Sequence, residues 1–156
     1  MFETSWEWLV PVDSGNRLAR RAAFTIADVE AAKAAPGVKM VLTHADVAEL
    51  GDIPCLGMPA MEDGVPFAAR NAPVLCRDVV RHVGDAVAFV VADTAMQAKD
   101  AAELVEVDYE PLDAVADLKA VMGEDAPLVW PAAGSNVAGR MHVGDKAATA
   151  AAFAAA

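Results

Sequence analysis

Apolar and polar positions change period several times along this chain, and each change marks an element. Trp6, Trp8 and Val10 alternate with Glu7 and Leu9, a strand-like pattern at the start. Asp28 then opens Val29–Ala35, an Ala-rich run that reads as a short helix, and Pro36-Gly37 stops it. Val38–Thr43 reads as a strand, and Asp46 as the cap of a further helical turn that ends near Gly51. Residues 51–73 hold four Pro and three Gly and predict a long irregular excursion. Val74–Cys76 and Val79–Val83 are short extended pieces, and Gly84-Asp85 is a turn. Ala86–Ala92 is a continuous apolar run, fit for a central strand covered on both faces. Asp93-Thr94 caps the clearest helix, Ala95–Leu104, with Ala95, Ala98, Ala101, Ala102 and Val105 along one side. Strict alternation over Val105–Glu110 predicts a half-exposed strand with Val and Tyr inward, ended by Pro111. Asp117–Met122 reads as a short helix, Asp125–Pro131 as extended chain, and a last helix starts at Asp145. Strands and helices alternate irregularly, so the expected class is α+β, a mixed β-sheet with a few packed helices.

Composition narrows the class further. The 156 residues include 36 Ala and 21 Val against 2 Ile, and hydrophobic residues make up 56%. That is enough apolar mass for a core and excludes intrinsic disorder. No stretch of about 18 apolar residues runs free of charge or Pro, so no membrane-spanning helix is expected. The acidic start, Met1 to Glu7, does not fit a signal peptide, and the expected compartment is the cytoplasm. The net charge of −11 argues against a nucleic-acid partner. Residues 85–125 carry eleven acids and two bases, and so hold most of the negative charge. Arg17, Arg20 and Arg21 make a short basic patch near the start.

Candidate chemistry is sparse. No dinucleotide-binding or phosphate-cradling glycine motif is present. Cys55 and Cys76 stand 21 positions apart without zinc-site spacing and read as two small buried thiols. His82 reads as a sheet-edge or interface side chain, and His44 and His142 lack metal-ligand partners at the right spacing. Glu106, Asp108 and Glu110 share one strand face, which reads as solvated rather than as a cation site. Ser5, Ser14 and Ser135 lie outside any nucleophile-elbow pattern. The residues by themselves describe a domain with no catalytic, cofactor-binding or metal site.

Three spaced stretches carry a resemblance. They are Pro73–Leu75, then Val80-Arg81-His82-Val83-Gly84-Asp85-Ala86-Val87-Ala88 running on to Ala92, then Gln97-Ala98-Lys99-Asp100-Ala101 through to Tyr109-Glu110-Pro111-Leu112. This order resembles the α/β hammerhead domain at the front of the large, molybdenum-binding subunit of xanthine dehydrogenase, aldehyde oxidase and aerobic carbon monoxide dehydrogenase. Ala35–Val47 and Asn136–Ala138, with Gly144-Asp145 and Ala151–Phe153, are similar to flanking parts of the same family. Asp85-Ala86 replaces the family's Glu-Pro or Gln-Pro, and His82 replaces an aromatic. Leu18–Ile26 occupies the place of the family's Ser-Pro-His lead-in segment, and residues 1–17 match no part of it.

The resemblance implies an α/β hammerhead-like fold at 25–144. Residues 1–24 are then an atypical N-terminal segment, and 145–156 start a linker helix toward a molybdenum-binding domain that is absent. It implies no cofactor in this chain and molybdopterin for the full-length relative. The function it implies is a fragment or truncated paralogue of a molybdenum hydroxylase large subunit. Such a chain is not active alone and packs against cofactor-bearing domains or the iron–sulfur and flavin subunits. The alternative is a true subunit of a split molybdopterin-dependent oxidoreductase of carbon monoxide, aldehyde or purine type, completed by another chain. A third reading, a stand-alone small-ligand binder, rests on the Pro/Gly-rich 51–73 segment. A missing first strand would leave a sheet edge unpaired and open to a second copy.

Overall fold

In a computed structural model the chain is described at residues 6–11, 21–56, 67–68, 70–141 and 143–156. Ser5, Ser14, His142, Arg17, Arg20 and residues 57–66 and 69 of the 51–73 excursion therefore lie outside the described residues. The strands are β1 (Trp6–Pro11), β2 (Ala22–Asp28), β3 (Val38–Thr43), β4 (Asp52–Ile53), β5 (Ala72–Pro73), β6 (Val79–Val80), β7 (Ala86–Ala92) and β8 (Glu106–Pro111). The helices are α1 (Glu30–Ala34), α2 (His44–Val47), α3 (Ala95–Ala102) and α4 (Lys146–Ala155). They form the expected α+β class. The strands lie in three small sheets, ordered β1-β7-β3, β6-β2-β8 and β4-β5, and every pairing among the described residues is antiparallel.

β7 occupies the middle of the first sheet because its side chains are apolar on both faces. Val87, Ala88, Val90, Val91 and Ala92 are all buried. One core cluster joins Val87, Ala88, Val90 and Ala92 to Ala22 and Phe24 of β2, Val41 of β3, Ala32 of α1 and Ala98, Ala101 and Ala102 of α3. Ala98, Ala101 and Ala102 face this cluster, and their methyl side chains let α3 approach the sheet closely. Thr94 caps α3, its hydroxyl oxygen accepting the Gln97 N–H at 3.2 Å. Two details differ from the expected helix: Ala95 is exposed, and the helix ends at Ala102 rather than Leu104. β8 alternates as its sequence predicts, with Val107 and Tyr109 packed on the core and Glu106, Asp108 and Glu110 exposed.

The first strand is present. β1 pairs along β7 from Trp6↔Ala92 to Pro11↔Ala86, so that edge of β7 is not left open. α1 ends at a left-handed Gly37 (φ 79°), whose carbonyl accepts the Asp93 N–H at 2.9 Å. Asp46 does not cap the next turn as expected. The turn starts earlier, at His44, and Asp46 reaches back so that its Oδ2 accepts from the Thr43 N–H (2.7 Å) and Oγ1–H (2.9 Å). These bonds hold the Asp46 carboxyl below its ordinary 3.8. Asp117–Met122 forms only a short 3-10 turn at Ala120–Met122, since too little apolar surface backs it to hold a longer helix. Asp145 caps α4 as expected, its Oδ1 accepting the Ala148 N–H at 2.8 Å. No helix among the described residues is long and apolar enough to cross a membrane.

Candidate functional site

The richest concentration of polar chemistry lies at the turn between β6 and β7, in the Arg81–Asp85 motif. β6 extends only over Val79–Val80, and His82 sits in the turn, not on a strand edge as expected. Gly84 supplies the left-handed residue (φ 99°) that the reversal needs. The Asp85 carboxylate closes the loop from inside. Its Oδ2 accepts the backbone N–H groups of Arg81 and His82, and its Oδ1 pairs with His82 Nδ1 at 2.7 Å. A shorter side chain than the family's Glu or Gln reaches these amides without leaving the turn. His82 itself remains largely exposed.

Arg81 points the other way. Its guanidinium lies 3.7 Å over the Trp130 ring, and Nη1 donates to the Val79 carbonyl at 3.2 Å. Its Nε is buried without a hydrogen-bond partner, so the flat cation is held by stacking more than by hydrogen bonding. Behind Trp130, Asn136 ties the surrounding loop together. Its Oδ1 accepts the Val129 N–H (2.9 Å), and its Nδ2 donates to Pro127 (3.1 Å) and Val121 (3.3 Å) carbonyls. Two open clefts flank the Val129–Trp130 ridge. One of about 360 Å³ holds Cys76, Arg81, His82 and Asp85, and one of about 380 Å³ holds Cys55, Phe67 and Arg70. Trp130 carries no motif in the sequence, whereas Asn136 opens the Asn136–Ala138 stretch that resembles a flanking part of the family.

The two thiols have opposite environments. Cys76 is buried as expected, and its N–H donates to the Ala86 carbonyl at 2.7 Å. Burial, reinforced by the Asp85 charge, pushes the thiol up to about 11, so it stays protonated and is not a nucleophile at neutral pH. Cys55 is exposed, contrary to the buried reading, because it follows the two-residue β4 on the surface; its N–H donates to Asn71 Oδ1 (3.2 Å). His44 is engaged with the backbone and Arg77 rather than with an acid. The Ser135 hydroxyl accepts the Val137 N–H at 3.0 Å and serves the turn. Sequence positions that were far apart, Arg81 and Trp130, are brought together; Glu106, Asp108 and Glu110 stay on the exposed face of β8.

Among the described residues there is no buried polar or charged residue, and no group of three or more His, Cys, Asp or Glu that could hold a metal. The arrangement can stack, cap and pack, and it presents apolar walls with a polar rim.

Residues 19–113 match the family described as aldehyde oxidase and xanthine dehydrogenase, a/b hammerhead domain. The carbon monoxide dehydrogenase large chain of Afipia carboxidovorans is 38% identical over 139 residues, covering 81% of this chain and 16% of its own. The nicotine 6-hydroxylase large subunit of Paenarthrobacter nicotinovorans is 38% identical over 99 residues, 64% of this chain and 12% of that subunit. Among solved structures, carbon monoxide dehydrogenase from Oligotropha carboxidovorans superposes with a TM-score of 0.71 at 32% identity, over 99% of this chain and 19% of that one. Quinoline 2-oxidoreductase from Pseudomonas putida 86 gives 0.67 at 32% identity, over 82% of this chain and 15% of that one. The chain thus spans less than a fifth of the length of these relatives.

Proposed function

This chain belongs to the aldehyde oxidase and xanthine dehydrogenase α/β hammerhead family, and from that premise we propose that it is a non-catalytic assembly module of a molybdenum hydroxylase. In this reading residues 25–144 form the module, and 145–156 begin the connection toward a cofactor-bearing part. The molybdenum chemistry is supplied by that other part, and this chain supplies a shaped surface and a rigid core beneath it. The partners are the molybdenum-binding domain and the iron–sulfur and flavin subunits, and the compartment is the cytoplasm.

The observation that carries the reading is the family match. The motif residues of β7, α3 and β8 pack into one apolar cluster. Large apolar side chains elsewhere face water, with Leu56 91%, Leu118 87%, Val143 84% and Phe153 80% exposed. The family match over 19–113, to a domain that is a small part of each large subunit it matches, supports a module that packs within a larger assembly. The superposable share of the chain is larger on carbon monoxide dehydrogenase (99%) than on quinoline 2-oxidoreductase (82%), which favours a parent of the former type. Elemental analysis tests the proposal. The purified chain is expected to hold no molybdenum, and the metal to appear only when a cofactor-bearing polypeptide co-purifies with it. Stoichiometric molybdenum in the chain alone would overturn the reading.

A further inference from the structure

The geometry points to a proton-sensitive pin, built by His44, that fastens α2 to the strap leading into β6. The His44 ring makes two bonds to that strap. Nδ1 lies 3.1 Å from the Leu75 carbonyl and so donates to it, while Nε2 accepts the Arg77 Nε–H at 3.0 Å. Only the neutral ring with its proton on Nδ1 satisfies both. The strap matters because its ends reach two sheets. The Cys76 N–H donates to Ala86 of β7 at 2.7 Å, and the Asp78 carbonyl accepts the Phe24 N–H of β2 at 2.9 Å.

Protonation removes the Nε2 lone pair and sets an imidazolium against a guanidinium, two like charges in hydrogen-bond range. Around the ring, β2 contributes Phe24, Thr25 and Ile26, none of them titratable, and the strap contributes Cys76 and Arg77. The Cys76 thiol is neutral, so Arg77 is the charged side chain of that lining. On α2 the acid is Asp46, whose Oδ2 is bonded to Thr43 and which feels the Lys33 charge. Arg77 is exposed and free to swing outward when the ring becomes charged. The strap then keeps the Leu75 bond and loses the other.

Nitrogen-15 NMR of the full chain at neutral and at mildly acidic pH tests this. The readouts are hydrogen exchange at Arg77 Nε–H and at the Cys76 and Phe24 amides, corrected for the intrinsic effect of pH. Acidification is expected to speed all three, by about threefold to tenfold for one lost hydrogen bond. His44→Gln keeps a donor for Leu75 and an acceptor for Arg77 without titrating, so its response should vanish. Arg77→Gln offers the charged ring an acceptor instead of a cation, and the two amides should likewise stop responding. An acid response that persists in either variant, or none in the unaltered chain, would overturn the proposal.

Discussion

Cys76 shows how position overrides residue type. Two cysteines look alike in the sequence, and both read there as small buried thiols. The difference arises from long-range packing: Cys76 is part of the core cluster, while Cys55 follows a two-residue strand and is exposed. With Cys76 pushed up to about 11, only about one thiol in a thousand is ionised at pH 8. A colorimetric thiol titration of the native chain at pH 8 should therefore find one fast-reacting thiol, and Cys55→Ser should remove it. The second thiol should react only in denaturant, or as the pH rises toward 11 with the structure intact. Two fast thiols in the native chain would contradict this assignment. The same limit applied to Asp85. Its side chain was legible as a departure from Glu or Gln, yet its role needs the folded turn, where two backbone amides converge on one oxygen.

Elements were legible where a single signal dominated. The apolar run of β7, the Thr94 cap of α3 and the strict alternation of β8 each rest on chemistry confined to neighbouring residues, and each formed as read. Elements whose existence depends on tertiary support were less legible. The Asp117–Met122 stretch has helix-forming residues but no buried face, and collapses to one 3-10 turn. α3 makes the opposite case testable. Ala98 is fully buried, and α3 packs on the β1-β7 side of the first sheet. Ala98→Leu adds volume where no void receives it and should cost about 1–3 kcal/mol in urea unfolding. Asp100→Ala, on the exposed side of the same helix, should stay within about 0.5 kcal/mol. Equal costs at the two positions would mean that α3 does not pack as described.

Across the whole molecule, burial is distributed unevenly along the chain. Among the described residues the buried ones run from Ala22 to Ala102, and the family match ends at 113, just beyond β8. Residues 112–156 contain no buried residue among those described, although they bring Leu118, Met122 and Phe153 to the surface. Composition concealed this, because the alanines of α4 count as hydrophobic while the helix buries none of them. Contacts that join this part to the rest include Arg81 over Trp130 and the Ala68 N–H bond to the Ala138 carbonyl at 2.7 Å. A cation–π stack is worth about 0.5–2 kcal/mol, against a stability built on the buried cluster. A chain ending at Asp113 keeps the β2–β8 ladder and the Leu112 N–H bond to the Arg21 carbonyl at 2.9 Å. It should therefore unfold in one cooperative transition, with a melting temperature lower by no more than about 10 °C. Amide protection in β2, β3 and β7 should be retained, because stability follows local burial. Loss of the cooperative transition would instead show that the surface segment is part of the folding unit.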